Sequence, residues 1–324
     1  MSIYTLTLKS LANRKSTVTL TLLAIAVSIT LLLGVENIRR EAKASFANTV
    51  SGTDLIVGAR SGTVQLLLYS VFRIGNATNN ISWQSYQKVA SQPQVAWTIP
   101  ISLGDSHRGY RVMGTSTEYF QHFRYGNKRQ LVLTQGKPFS GVYDAVLGAE
   151  VAAKLGYKLG QEIVIAHGAG NVSFAQHKDK PFTIVGILEK TGTPVDRTVH
   201  VSLEGIEAIH IGWQSGAPAG AKVTAEEALK MDLQPKVITA FLVGLQSKMA
   251  IFTLQRALNE YRAEPLLAIL PGVALQELWG LMGVAETALL TISVFVVVTG
   301  LTGMLTVIWS GLNERRREMA ILRS

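Results

Sequence analysis

Two uncharged stretches stand out from an otherwise mixed chain. Ser16 to Val35 carries no charge between Lys15 and Glu36, and Thr287 to Asn313 carries none between Glu286 and Glu314. At about 1.5 Å per residue the first makes roughly 30 Å of helix, the thickness of a bilayer core, and the second roughly 40 Å, enough to cross with tilt. Core helices of soluble domains normally keep a charged or polar face, and these runs hold no charge at all. A cleaved signal is the other alternative for the first run, with Ala42-Lys43-Ala44 as its cleavage site. The apolar run is longer than the usual signal, and Arg39-Arg40 intervene. The pattern therefore predicts transmembrane helices over 16–35 and 284–311.

Beyond the first run, Val35, Ile38, Ala42, Phe46 and Val50 recur at helical spacing, so a stalk is expected until Ser51-Gly52 stops it. Glu36 and Arg40 form an i,i+4 pair on that stalk. Short apolar runs separated by turn residues then predict strands at Asp54 to Gly58, Ala145 to Leu147, Glu162 to Ala166, Phe182 to Leu188, Thr198 to Val201, Val237 to Leu245 and Leu266 to Leu270. Gln94 to Leu103 and Arg108 to Gly114 read as a hairpin around Gly104-Asp105. Helices are expected at Ser82 to Ala90, with Ser82 as N-cap, at Ala149 to Leu155 and at Lys248 to Tyr261. Ser215 to Ala221 reads as a surface loop, and Pro271-Gly272 as a break before the second span. Strand–helix–strand units at both ends suggest one α+β lobe, 51–116 with 231–272. A strand-rich lobe, 117–230, is inserted into it. The expected fold is thus membrane α-helical, with two transmembrane helices and a large α+β extracytoplasmic domain.

Charge supplies the orientation. Lys9, Arg14 and Lys15 precede the first span, and Arg315, Arg316, Arg317 and Arg323 follow the second. Basic flanks stay in the cytoplasm, so 1–15 and 312–324 are expected inside and 36–283 outside. Much of the net charge of +9 is accounted for by these flanks, and it gives no argument for nucleic acid. Only 16% of the 324 residues are charged and 48% are hydrophobic, which excludes a disordered chain. The absence of cysteine excludes disulfides, thiol nucleophiles, cysteine zinc sites and iron–sulfur clusters.

The search for chemistry is largely negative. There is no G-x-x-x-x-G-K-[ST], no G-x-S-x-G and no H-E-x-x-H, so neither nucleotide hydrolysis nor an enzyme is expected of this chain. Gly168-Ala169-Gly170-Asn171 reads as a turn. Six histidines, His107, His122, His167, His177, His200 and His210, fall in one part of the chain, none paired at i,i+2 or i,i+4. Asp105, Asp179 and Asp196 lie among them without ligand-like spacing. Scattered histidines and no bound metal are expected, with His167 and His177 the candidates should a metal be involved. Glu204, Glu207, Glu226 and Glu227 read as solvated. Glu286, with Glu36 and Arg40, reads as a charge at the membrane lip that needs the interface or a partner.

Three stretches resemble a known family. They are Leu8-Lys9-Ser10-Leu11-Ala12-Asn13-Arg14-Lys15 before the first span, an outer set, and Glu314-Arg315-Arg316-Arg317-Glu318-Met319-Ala320-Ile321-Leu322-Arg323 after the second. The outer set comprises Asp54-Leu55-Ile56-Val57-Gly58-Ala59, Val146-Leu147-Gly148-Ala149-Glu150-Val151-Ala152, Leu155-Gly156, Leu159-Gly160-Gln161, Val185-Gly186-Ile187-Leu188 and Thr191-Gly192-Thr193-Pro194. In this order they resemble the first half of a MacB/FtsX-type ABC transporter permease. The resemblance implies a bacterial inner-membrane, multi-pass protein that pairs with a second permease copy and a cytoplasmic ABC ATPase. It admits a periplasmic protein or lipoprotein as a further partner. No cofactor is expected on this chain, ATP being bound by the partner. Arg315, Arg316, Arg317, Glu318, Met319 and Leu322 are implied to couple the ATPase to the outer domain. The family has four spans where this sequence shows two, so a fragment, a truncated gene or a two-span relative is expected. An anchored scaffold or sensor without transport, and metal-linked transport, are the alternatives.

Overall fold

The computed structural model describes residues 15–47, 49, 51–168, 177–214, 217–218 and 223–321. Two compact units emerge, Met1–Lys43 with Trp279–Ser324, and Ala44–Leu278.

The first unit contains most of helix α1 (Lys15–Ala47). Leucines that would fill a soluble core, such as Leu20, Leu23 and Leu33, are exposed, and only 6% of its apolar window is buried. Arg40 Nε lies 3.8 Å from Glu36 Oε1, the pairing that the i,i+4 spacing requires. The buried polar positions of this unit include Ser28 and Ser293, and a Cβ added at Gly300 would lie 3.8 Å from Ser28 Oγ. Small residues at a helix contact are the usual device of lipid-embedded helices, where close backbone approach replaces hydrophobic drive.

The second unit is built on an eleven-stranded sheet. Its strands are β1 (Leu55–Ala59), β2 (Val95–His107), β3 (Tyr110–Thr115), β4 (Leu133–Gly136), β5 (Asp144–Leu147), β6 (Glu162–Ile163), β7 (Ala166–His167), β8 (Phe182–Leu188), β9 (Thr198–Ser202), β10 (Ala240–Leu245) and β11 (Leu266–Ile269). Their order is β11-β1-β10-β2-β3-β9-β5-β8-β4, with β7 added beside β2 and β6 beside β8. The longer helices are α2 (Trp83–Ala90), α3 (Ala149–Leu155), α4 (Leu203–His210) and α5 (Ile251–Asn259), and α6 (Pro271–Ile321) follows β11.

The cores explain why the strands read as near-continuous apolar runs. Ile56, Ile99, Met113, Val146, Leu188 and Leu242 share one core that extends along one face of the whole sheet. Their alternating neighbours divide on the other face. Leu55, Val57, Phe241 and Val243 pack with α2 and α5 residues such as Val89 and Leu258, whereas Ala145, Leu147, Val199 and Val201 pack with Val151 and Ile209 of α3 and α4. Strands covered on both faces lose the polar alternation of a half-exposed sheet. The two lobes expected from the sequence therefore share one sheet and one core, joined where β9 pairs in parallel with β3. They are separate only on the second face.

Three expectations are corrected. The hairpin turns at Arg108-Gly109, not at Gly104-Asp105, since His107 pairs with Tyr110 across a two-residue loop. Both loop residues have positive φ, 47° and 85°, the geometry of a type I′ turn that matches strand twist. Gly104-Asp105 lies instead in a bulge of β2, where the register shifts between Leu103 and Ser106. The strand expected over Glu162 to Ala166 divides into β6 and β7. Pro271 opens α6 instead of breaking the chain before it. At the first helical position its missing N–H is no loss, because that donor has no partner inside a helix. The loop expected at Ser215 to Ala221 lies outside the described residues, apart from Ala217–Pro218, which pairs with Trp213–Gln214.

Candidate functional site

The residues expected to couple to an ATPase lie at the end of α6. Arg315, Arg316, Arg317, Glu318 and Met319 are within this helix, which continues to Ile321, and Leu322 lies outside the described residues. Glu286 is half-buried within the same helix, and the apolar stretch extends on both sides of it, from Pro271 to Thr306.

Inside the outer unit the histidines are not scattered. Three are structural. His107 donates from Nδ1 to Val164 O at 2.7 Å and contacts Tyr157 Oη through Nε2 at 2.8 Å, so both ring nitrogens are used. His200 donates from Nδ1 to Val146 O and stacks on Tyr119. Burial, aided by the positive charge of Arg73, pushes it down to about 3, so it is neutral. His122 stacks on Trp97 and pairs with Glu118 one turn away on its short helix.

The other three converge, correcting the expectation of scattered residues. A ligand nitrogen from each of His167, His177 and His210 lies within 4.8 Å of the others. Their positions follow from the fold. His167 is the last residue of β7 and stands directly opposite Asp105 of β2 in the ladder. The bulge in β2 turns Asp105 inward, into a run of three buried residues, Asp105, Ser106 and His107, where alternation would expose one. His177 is placed by its own backbone, which donates to Ile165 O and accepts from Lys180 N. His210 ends α4. Lys180, only 1% exposed, fastens that helix end by donating from Nζ to Ala208 O at 2.9 Å and Ile211 O at 3.2 Å. A cation there also complements the negative end of the helix dipole.

The contacts are close. Asp105 Oδ1 lies 3.0 Å from His167 Nδ1 and 3.7 Å from His210 Nε2. His210 Nε2 lies 3.3 Å from His167 Nδ1, and His177 Nε2 lies 3.0 Å from His167 Nε2. Asp105 Oδ1 is buried and makes no well-oriented hydrogen bond. Burial, reinforced by His167 and His210 and opposed by Asp105, holds His177 down at about 4. The cluster is therefore a carboxylate surrounded by imidazoles, with one flank open. The side chains of His167 and His210 are 21% and 34% exposed, against 5% for Asp105. Sequence separation hides the site: only the β2–β7 pairing and the end of α4 bring Asp105 and His210 to the two histidines already singled out.

A second feature lies under the Thr191-Gly192-Thr193-Pro194 stretch. Asp196 accepts from Thr191 N at 2.7 Å, Thr191 Oγ1 at 2.8 Å and Gly192 N at 2.8 Å, so the motif is a carboxylate-held turn. It borders a cleft of about 680 Å³ that also includes Arg73, Arg111, Glu150 and Arg197.

A family model described as the MacB-like periplasmic core domain matches residues 18–258. Among solved structures, the periplasmic region of MacB from Actinobacillus actinomycetemcomitans is 11% identical, with 71% of this chain and 94% of that one covered and a TM-score of 0.43. The extracellular domain of the noncanonic ABC-type transporter YknZ from Gram-positive bacteria is 12% identical, with 67% and 99% covered and a TM-score of 0.38. No curated protein matches the sequence significantly.

Proposed function

The chain belongs to the MacB-like periplasmic core domain family, as a permease-type component of an ABC transporter, and from that premise we propose that it relays the motion of a separate ATPase to its outer domain. One observation carries this reading. α6 is a single uninterrupted helix from Pro271 to Ile321, about 75 Å long at about 1.5 Å per residue. It begins two residues after the last strand of the outer sheet and includes Arg315, Arg316 and Arg317 in its final two turns. A helix without a break transmits displacement as a rod, which a flexible linker cannot do.

In this reading the arginines and Glu318 set register at the cytoplasmic face, and Met319 and Leu322, three residues apart, form an apolar docking contact. ATP binds the partner, and the outer domain is moved for export or for handling a substrate outside the membrane. A second permease copy completes the assembly, in the bacterial inner membrane, and a periplasmic protein or lipoprotein is a fitting outer partner. The simpler reading of the same arginines is a stop signal, each contributing about 1 kcal/mol at an anionic surface. The double substitution Met319→Asp with Leu322→Asp separates the two, because it leaves every arginine in place. Affinity-tagged chain, expressed from its own gene in its own host, is expected to co-purify a P-loop ATPase. The double variant should lose it while membrane yield holds, since a buried unpaired charge at a docking face costs several kcal/mol. Undiminished co-purification would place the docking face elsewhere.

A further inference from the structure

We propose that Asp105, His167, His177 and His210 form a binding site in the outer domain for a divalent d-block cation, with zinc the best fit. This goes beyond the ABC permease assignment and does not depend on the coupling proposal. Three arguments carry it.

The first is size. Asp105 Oδ1, His167 Nδ1 and His210 Nε2 form a triangle with edges of 3.0, 3.3 and 3.7 Å. A triangle with these edges has a circumradius of about 2 Å, the usual zinc–nitrogen and zinc–oxygen bond length. A cation at or just off its centre touches all three atoms with no backbone movement. His177 Nε2 lies 3.0 Å from the other nitrogen of His167, so it is near enough to become the fourth ligand once its ring turns toward the triangle.

The second is the proton on His210. Its Nδ1 lies 2.6 Å from Ile206 O, and a carbonyl only accepts, so Nδ1 carries the proton. The lone pair is then on Nε2, the nitrogen that faces Asp105 and His167. A ring nitrogen tied to a backbone carbonyl so that the other is available is how metal-binding histidines are commonly oriented. His107 differs in that its second nitrogen contacts the Tyr157 hydroxyl, whereas that of His210 faces a carboxylate and another imidazole.

The third is the carboxylate. Asp105 Oδ1 is buried without a well-oriented hydrogen bond and faces imidazole nitrogens of His167 and His210, a setting that calls for positive charge between them. A cation at the centre of the triangle satisfies it. Three imidazoles and one carboxylate suit zinc, and other imidazole-loving d-block ions, far better than magnesium or calcium, which take oxygen. The part-exposed edges of His167 and His210 provide an entry path, so the ion is exchangeable.

The test uses the full chain in detergent, purified through a tag without histidine and stripped with chelator. Zinc chloride is titrated against a chromophoric chelator, and cobalt(II) is added separately for its visible spectrum. The expected result is one zinc per chain and the intense cobalt bands of a four-coordinate nitrogen/oxygen site. His210→Ala and Asp105→Asn should each weaken zinc binding by about 100-fold or more, since even outer-shell partners of zinc ligands are worth about 10- to 100-fold. His122→Ala, a partly exposed histidine on a different helix, should bind like the parent. His210 is at a part-exposed helix end, so His210→Ala decides the matter if Asp105→Asn fails to fold by circular dichroism. Absence of stoichiometric binding to the parent chain would overturn the proposal. So would parent-level affinity in His210→Ala, or equal loss in His122→Ala.

Discussion

Replacing Lys180 with Met tests whether a buried ammonium holds the end of α4. Methionine keeps an unbranched stem of similar length and removes only the charge and its donors. Two bonds vanish, to Ala208 O and Ile211 O. Hydrogen bonds to a charged group contribute about 1.5–3 kcal/mol each, so the gross loss is about 3–6 kcal/mol. Burial already pushes the Lys180 ammonium below its ordinary pKa, a sign that desolvation opposes it, and methionine recovers that cost. The lower end, about 3 kcal/mol, is therefore expected. The loss is local, because the freed carbonyls are at one helix end. Hydrogen exchange with mass spectrometry resolves it, since amides report the opening free energy of their own segment. At about 1.36 kcal/mol per decade, protection across Leu203–His210 should fall roughly 100-fold, with Leu55–Ala59 at the far end of the sheet little changed. Protection of α4 unchanged within about threefold would refute the reasoning and make Lys180 a passenger whose bonds merely offset its burial.

Two further outcomes follow from the packing. Because burial depresses His200 to about 3 in the fold, against 6.5 for a free side chain, the unfolded chain takes up more protons as pH falls between those values; stability should decline by up to about 1.36 kcal/mol per pH unit across that window, and His200→Phe should flatten part of this decline in denaturant titrations at pH 4 to 7. Gly148→Ala should be strongly destabilising, by about 3 kcal/mol or more, because its Cβ would lie 2.2 Å from Val195 O and 2.5 Å from Asp196 O, backbone atoms that the Asp196-held turn keeps in place; a near-normal unfolding midpoint would contradict this.

Much of the fold is legible in the sequence because its determinants are local. About twenty predominantly apolar residues without a charge favour a helix from local sequence alone, and α1 and α6 both contain such runs. Phe182 to Leu188 is a strand with the boundaries expected from its apolar run, and Ser82 caps α2 by accepting from Ser85 N. Family motifs are legible for the same reason, as contiguous strings. Asp105 escapes local reading because a Gly-Asp pair gives the same signal in a turn and in a bulge, and only the pairing of His107 with Tyr110 decides between them. Pro271 is ambiguous because a proline that ends one helix and one that starts another are chemically identical in isolation. The sharing of one sheet by two lobes depends on the β3–β9 and β2–β7 pairings, whose partners are far apart in sequence. The histidine cluster lies furthest from sequence reasoning. Its four residues come from a bulge, a two-residue strand, a turn and a helix end, and no spacing rule links 105, 167, 177 and 210. Their convergence is a property of the sheet, since cross-strand pairing brings side chains from distant residues within about 5 Å of each other.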